Sequence, residues 1–169
     1  MCAKRAKLGT LIANPPQITK GVVMAKVEET IRIEASPEEV WEVIMDPHRL
    51  GDWVTAHREV EGAPDGELTQ GDSFKQKLQV IGPSFKVRWK VVEVDAPKLA
   101  VWEGKGPGGT KADVRYELSE DDGATCFDYF NSFELPDGPL SSVGSKIAGS
   151  PATKQARDSL ANLKELLES

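Results

Sequence analysis

Asn131 stands two residues after Tyr129 and two before Phe133, so a strand places the amide and both rings on one face. On a buried face that amide needs partners, because an unsatisfied polar group costs on the order of 1–3 kcal/mol. A ligand carbonyl, a ligand hydroxyl or a trapped water would meet the need; so would solvent at a wet sheet edge. Gln76 and Glu29 raise the same question near strand ends. Tyr116 and Tyr129, together with Asn131, are the candidates for acid–base work. A phenol with a pKa near ~10 makes a usable acid and a poor base. Arg115 alternates to the opposite face, so no oxyanion partner joins them and the catalytic case is thin.

The other chemistry-bearing residues read as structural. Of four tryptophans, Trp41 reads as core, Trp89 faces inward on a strand, Trp102 lies on another strand and Trp53 ends a short helix. Each indole N–H needs a partner if buried. His48 and His57 lie in or beside loops with no neighbouring nucleophile or carboxylate pattern, which points to surface positions. No HExxH, CxxC or other metal-ligand spacing occurs, so no metal and no cofactor are expected. The 104–111 segment, GKGPGGTK, lacks P-loop spacing and lies between strands, which makes it a flexible hairpin.

The elements that position these residues follow from periodicity. Val27, Glu29, Ile31 and Ile33 alternate with Glu28, Thr30, Arg32 and Glu34 as a first strand. Ser36, Pro37 and Glu39 then supply a cap, a first-turn proline and a capping-box partner for a short helix carrying Val40, Trp41, Ile44 and Met45. Asp46-Pro47 stops it, and a second short helix ends at Trp53. Strands follow at His57–Gly62, Ser73–Ile81, from Phe85 onward, Leu99–Glu103, from Ala112 to Leu118 and Thr125–Leu135. Phe74, Gln76, Leu78 and Val80 share one face, as do Phe85, Val87, Trp89 and Val91. The phase slips at Val91-Val92, the mark of a bulge or bend. Phe127 joins Tyr129, Asn131 and Phe133. From about Leu140 the chain is helical, with Ala152, Ala156, Leu160, Leu163 and Leu167 at spacings of three and four and Ser150-Pro151 restarting the helix.

A chain of 169 residues, 39% hydrophobic and 28% charged, fits one domain with a sizeable core. Its net charge of −6 and lack of a dense Lys/Arg run argue against general nucleic-acid or anionic-membrane binding. No apolar run approaches the ~20 residues of a membrane span. Residues 1–25 read as a flexible leader and 26–169 as the domain. Met24 precedes the first convincing strand, so a natural start near it is an expectation that intact-mass analysis would decide. The two cysteines, Cys2 in the leader and Cys126, suggest no structural disulfide and a cytoplasmic setting.

One strand, two small helices, about six consecutive antiparallel strands and a long helix make an α+β order. The chain resembles the START-like (SRPBCC) superfamily, the helix-grip fold shared with the birch-pollen allergen, and within it the bacterial polyketide cyclase/dehydrase and lipid-transport group. Ile31-x-Ile33-x-Ala35-Ser36-Pro37-Glu38-x-Val40-Trp41, Asp46-Pro47 to Trp53, and Leu160-x-x-Leu163-Lys164-x-Leu166 carry the resemblance. It implies a curved sheet of about seven strands wrapped around the C-terminal helix, with a hydrophobic small molecule held between them. Residues expected around that molecule are Trp53, Phe74, Leu78, Phe85, Val87, Trp89, Trp102, Tyr116, Phe127, Tyr129, Asn131, Phe133, Ala156 and Leu160. Ala148, Ala152, Ala156 and Ala161 suit either a cavity or a close helix–sheet approach.

Three functions fit. The first is a carrier or sensor of a lipid, quinone or polyketide. The second is an aromatase/cyclase using Tyr116 and Tyr129. The third is a protein-interaction module of the co-chaperone kind, using the basic face of Lys75, Lys77, Lys86, Arg88 and Lys90; such charges also simply protect a sheet. Oligomeric state is not legible.

Overall fold

A computed structural model describes residues 2, 22–80, 82–136 and 150–169. Strand β1 (Val22–Ile33) leads to α1 (Pro37–Ile44), a 3-10 turn at Pro47–Arg49 and α2 (Leu50–Trp53). Strands β2 (His57–Glu61), β3 (Ser73–Leu78), β4 (Phe85–Asp95), β5 (Leu99–Lys105), β6 (Lys111–Asp121) and β7 (Ala124–Pro136) follow, then α3 (Ser150–Glu168). The strands form one antiparallel sheet of order β1-β7-β6-β5-β4-β3-β2. It curls as a half-barrel with α3 packed against β1 and α2, the helix-grip arrangement that the order of elements implied.

The local signals act as physics requires. Ser36 Oγ accepts from the Glu39 amide at 3.3 Å, and the Glu39 carboxylate accepts from the Ser36 amide at 2.9 Å. Those bonds, the backbone one foremost, hold the exposed Glu39 carboxyl below its ordinary pKa. α1 thereby starts at Pro37 and buries Val40, Trp41, Val43 and Ile44; the Trp41 indole donates to Glu67. The phase slip of β4 is a register shift between Val91 and Glu93. Asp122 and Gly123, both at positive φ (49° and 82°), turn β6 into β7, the backbone that a two-residue type I′ hairpin demands.

Polar contacts at its margins help to tie the helix down. Arg157 pairs with Glu29 at 3.0 Å, Lys164 donates to the Arg32 carbonyl at 2.8 Å, and Ser159 Oγ accepts from the Thr55 amide at 3.0 Å. Glu29, a candidate polar group for the interior, is therefore spent on holding α3. Leu160 and Leu163 supply the apolar anchor, both buried.

Three expectations change. β1 begins at Val22, ahead of the alternation read from Val27, so Met24 lies within a strand, opposite Glu134. Positions flanking the period-two run pair through the backbone, whatever their side chains. β3 ends at Leu78, and Val80 stands beyond it. Cys2 is joined to Cys126 across 124 positions, with Cα atoms 5.5 Å apart, where the sequence suggested no disulfide. Sequence position says nothing about which wall a leader residue reaches, and bridging depends only on that distance and direction. Residues 22–25 of the expected leader thus belong to β1, while residues 1 and 3–21 and the start of the helical region, including Ala148, fall outside the described residues.

Candidate functional site

The concave face of the sheet and α3 enclose a cavity of about 70 Å³. β3 contributes Gln76 and Leu78, with Val80 just beyond; β4 gives Trp89, β5 Trp102, β6 Val114 and Tyr116, and β7 Tyr129, Asn131 and Phe133. Val27 comes from β1, Leu50 from α2, Val54 and Ala56 from the segment after it, and Ala152, Gln155, Ala156 and Ser159 from α3. No charged side chain belongs to this lining among the described residues.

Of the expected site residues, Leu78, Trp89, Trp102, Tyr116, Tyr129, Asn131, Phe133 and Ala156 line the cavity. Trp53, Phe74, Phe85, Val87, Phe127 and Leu160 do not. They pack in or against the core around it: Trp53 meets Tyr116 edge-on at 6.1 Å, Phe74 meets Trp102 at 5.6 Å, and Phe127 meets Tyr116 at 5.3 Å. Inward alternation finds the buried face and cannot tell its lining from its filling. Gln155 and Ser159 went unread although they share the helix stripe of Ala152 and Ala156 at three- and four-residue steps. Val54 and Ala56 carry no comparable signal.

The polar content of the cavity is sparse and specific. The Asn131 Nδ2 donates to the Tyr129 hydroxyl at 3.1 Å, while Asn131 Oδ1 is buried without a partner. The Trp102 indole N–H is likewise buried and unpartnered, as is that of Trp53 behind the wall. Tyr116 and Tyr129 stack at 5.8 Å. Burial pushes the Tyr116 phenol well above its ordinary pKa, with Tyr129 adding to the rise. Burial also raises Tyr129, against a smaller opposing pull from the Asn131 hydrogen bond. Both phenols therefore stay protonated at neutral pH.

A second chain of bonds runs from this wall to the surface. Trp89 Nε1 donates to Gln76 Oε1 at 2.8 Å, and Gln76 Nε2 lies 3.0 Å from His57 Nδ1. With its oxygen engaged by Trp89, Gln76 presents its NH₂ to His57, so His57 Nδ1 must accept and the ring is neutral. Desolvation, and then the Arg58 charge, hold its pKa below the ordinary value. His57 is thus half-buried and structural, where a surface position was expected; His48 is exposed. Gly104 completes the wall: a Cβ there would lie 2.7 Å from the Trp89 ring and 2.8 Å from Val87.

Among the described residues, one cluster combines metal-ligating types, Cys2, Asp121 and Cys126. Its sulfurs are bonded to each other, which leaves no thiolate to offer. No described helix is long and apolar enough to cross a membrane.

The family described as polyketide cyclase/dehydrase and lipid transport matches residues 24–168. Among curated proteins, the chain is similar to the uncharacterized protein Rv1546 of Mycobacterium tuberculosis, 29% identical over 91 residues, 54% of this chain and 64% of that one. Toxin Rv0910 of the same organism is 28% identical over 88 residues, 52% of this chain and 61% of the relative. The match thus spans under two thirds of either relative's length. Among solved structures, TTHA0849 from Thermus thermophilus superposes with a TM-score of 0.67 at 14% identity, covering 85% of this chain and 97% of that one. That likeness establishes the fold.

Proposed function

Since the chain belongs to the polyketide cyclase/dehydrase and lipid transport family, we propose that its domain, residues 26–169, carries or senses a neutral, largely apolar small molecule between the sheet and α3. The supporting observation is an uncharged cavity in which two buried polar atoms, the Trp102 N–H and Asn131 Oδ1, lack partners. A ligand with one acceptor and one donor would satisfy both, and its apolar body would supply the affinity. A carboxylate would enter with no cation to meet it, at a desolvation cost of several kcal/mol. Hydroxyquinones, hydroxyketones and uncharged hydroxylated lipids fit; free fatty acids do not.

At about 70 Å³ the resting cavity falls short of the roughly 300–1,000 Å³ that drug-sized ligands occupy. Binding therefore involves separation of α3 from the sheet. A carrier is favoured over a cyclase because ring closure needs a base, and the titratable groups of the lining, Tyr116 and Tyr129, are held in their protonated form. The cytoplasm is the proposed compartment, and there the Cys2–Cys126 bond would stand exposed to reduction.

Native and denaturing mass spectra of protein gently purified from its own host test the reading. A neutral adduct of a few hundred daltons that disappears on denaturation is expected. An adduct-free protein that also shows no thermal shift with testosterone, an uncharged hydroxyketone carrying one donor and one further acceptor, would overturn it.

A further inference from the structure

The outer face of the sheet carries a row of cations that the strand register places directly opposite one another. Lys75 on β3 pairs with Arg88 on β4, Arg88 with Lys105 on β5, and Lys105 with Lys111 on β6. All four side chains are exposed. Of the other basic residues of this face, Lys77 lies 3.9 Å from Glu59, Lys86 bonds Glu61, and Lys90 stands opposite Glu103 in the register. Lys75, Arg88, Lys105 and Lys111 have no ion-pair partner among the described residues. Like charges directly opposite destabilise a sheet, and a chain of net charge −6 does not need four adjacent cations for solubility.

The row is bounded. Glu61 on β2 faces Lys75 at one end, and Glu134 on β7 faces Lys111 at the other. Two residues along the strands, Glu103 and Asp113 face each other across β5 and β6. This acidic frame would be pressed against any broad anionic plane, which a membrane presents. A narrow acidic ligand lying along the row escapes it. Strand spacing puts the outer two cations about 14 Å apart, in steps of about 4.8 Å. Same-side residues of an extended peptide recur every ~6.8 Å and fall out of step. Carboxylates at i, i+4, i+7 and i+11 of a helix span about 16 Å, in steps close to those of the row.

We infer that this face docks an acidic helix of a partner protein, laid across strands β3 to β6. The inference is independent of the cavity and of its ligand.

The test uses the whole protein and a synthetic helical peptide with glutamates at i, i+4, i+7 and i+11, followed by fluorescence anisotropy. A peptide of the same composition with glutamates spread around the helix is the control. The one-faced peptide should bind about tenfold more tightly than the control and weaken as salt rises. The variant K75Q/R88Q/K105Q/K111Q should lose that preference while unfolding at an equal or higher temperature, since the repulsive pairs are gone. Should the quadruple variant not fold, Arg88→Gln alone, at the centre of the row, is measured instead. Equal binding of both peptides, unchanged binding by the variant, or tighter binding to phosphatidylserine vesicles than to the peptide would overturn the inference.

Discussion

The Asn131 side chain holds two opposite terms at once. Its Nδ2 is bonded to Tyr129 and its Oδ1 is buried without a partner. Asn131→Leu removes a favourable bond and a larger penalty, so the unliganded protein should hold its stability or gain up to roughly 1 kcal/mol, read by thermal unfolding, and should retain its ligand less well, read by native mass spectrometry. Gly104 has no such latitude, because its missing Cβ is the space in which the Trp89 ring lies. Gly104→Ala should cost roughly 1–3 kcal/mol by overpacking in denaturant titration, with a shifted tryptophan emission as the local sign. His57 makes the fold sensitive to acid. Its folded pKa lies below the ordinary 6.5, so the stability it contributes is complete above that value and is lost as pH falls through the folded one. The unfolding midpoint should therefore drop below pH 6.5, and His57→Asn, whose amide oxygen can still accept from Gln76, should flatten the drop.

Among the elements, α3 is the moving part that ligand entry requires. It is latched at one margin by Thr55, whose amide and hydroxyl both meet Ser159, and by Gln155, which donates to the Val80 carbonyl at 3.2 Å. Ser159→Ala should speed uptake of a fluorescent apolar probe several-fold in stopped flow, with about 1 kcal/mol lost in stability; unchanged uptake would place the entrance elsewhere. The helix and strands themselves were largely legible, because each signal is local. Ser36 with Glu39 caps α1, alternation sets each strand, and the slip at Val91-Val92 is the observed bulge. The cavity was legible only as a face. Whether Phe127 fills the core or Tyr129 borders the space depends on how far α3 stands off, which depends on contacts such as Arg157–Glu29 between residues 128 positions apart. The Gln76–His57 bond was hidden for the same reason, since it joins neighbouring strands in three dimensions and no motif in one.

For the whole molecule, the Cys2–Cys126 bond fastens the far N-terminal residue to the outer side of β7. Reduction should lower stability by up to about 5 kcal/mol on the chain-entropy account for a loop of this length, measured as the denaturation midpoint with and without dithiothreitol. An unchanged midpoint would mean that the bond contributes nothing to the fold. The sheet order has a further consequence for how the protein is made. β1 is the first strand to be synthesised and its neighbour β7 is the last, so every β1 ladder bond waits for the chain to reach residues 124–136. Until then a ribosome-bound chain displays an unmatched strand edge and an apolar trough that α3 has yet to cover, the condition in which nascent chains aggregate or engage chaperones. Synthesis paused after β6 should yield a chaperone-bound product, and release of the last fifty or so residues should let the molecule close on itself.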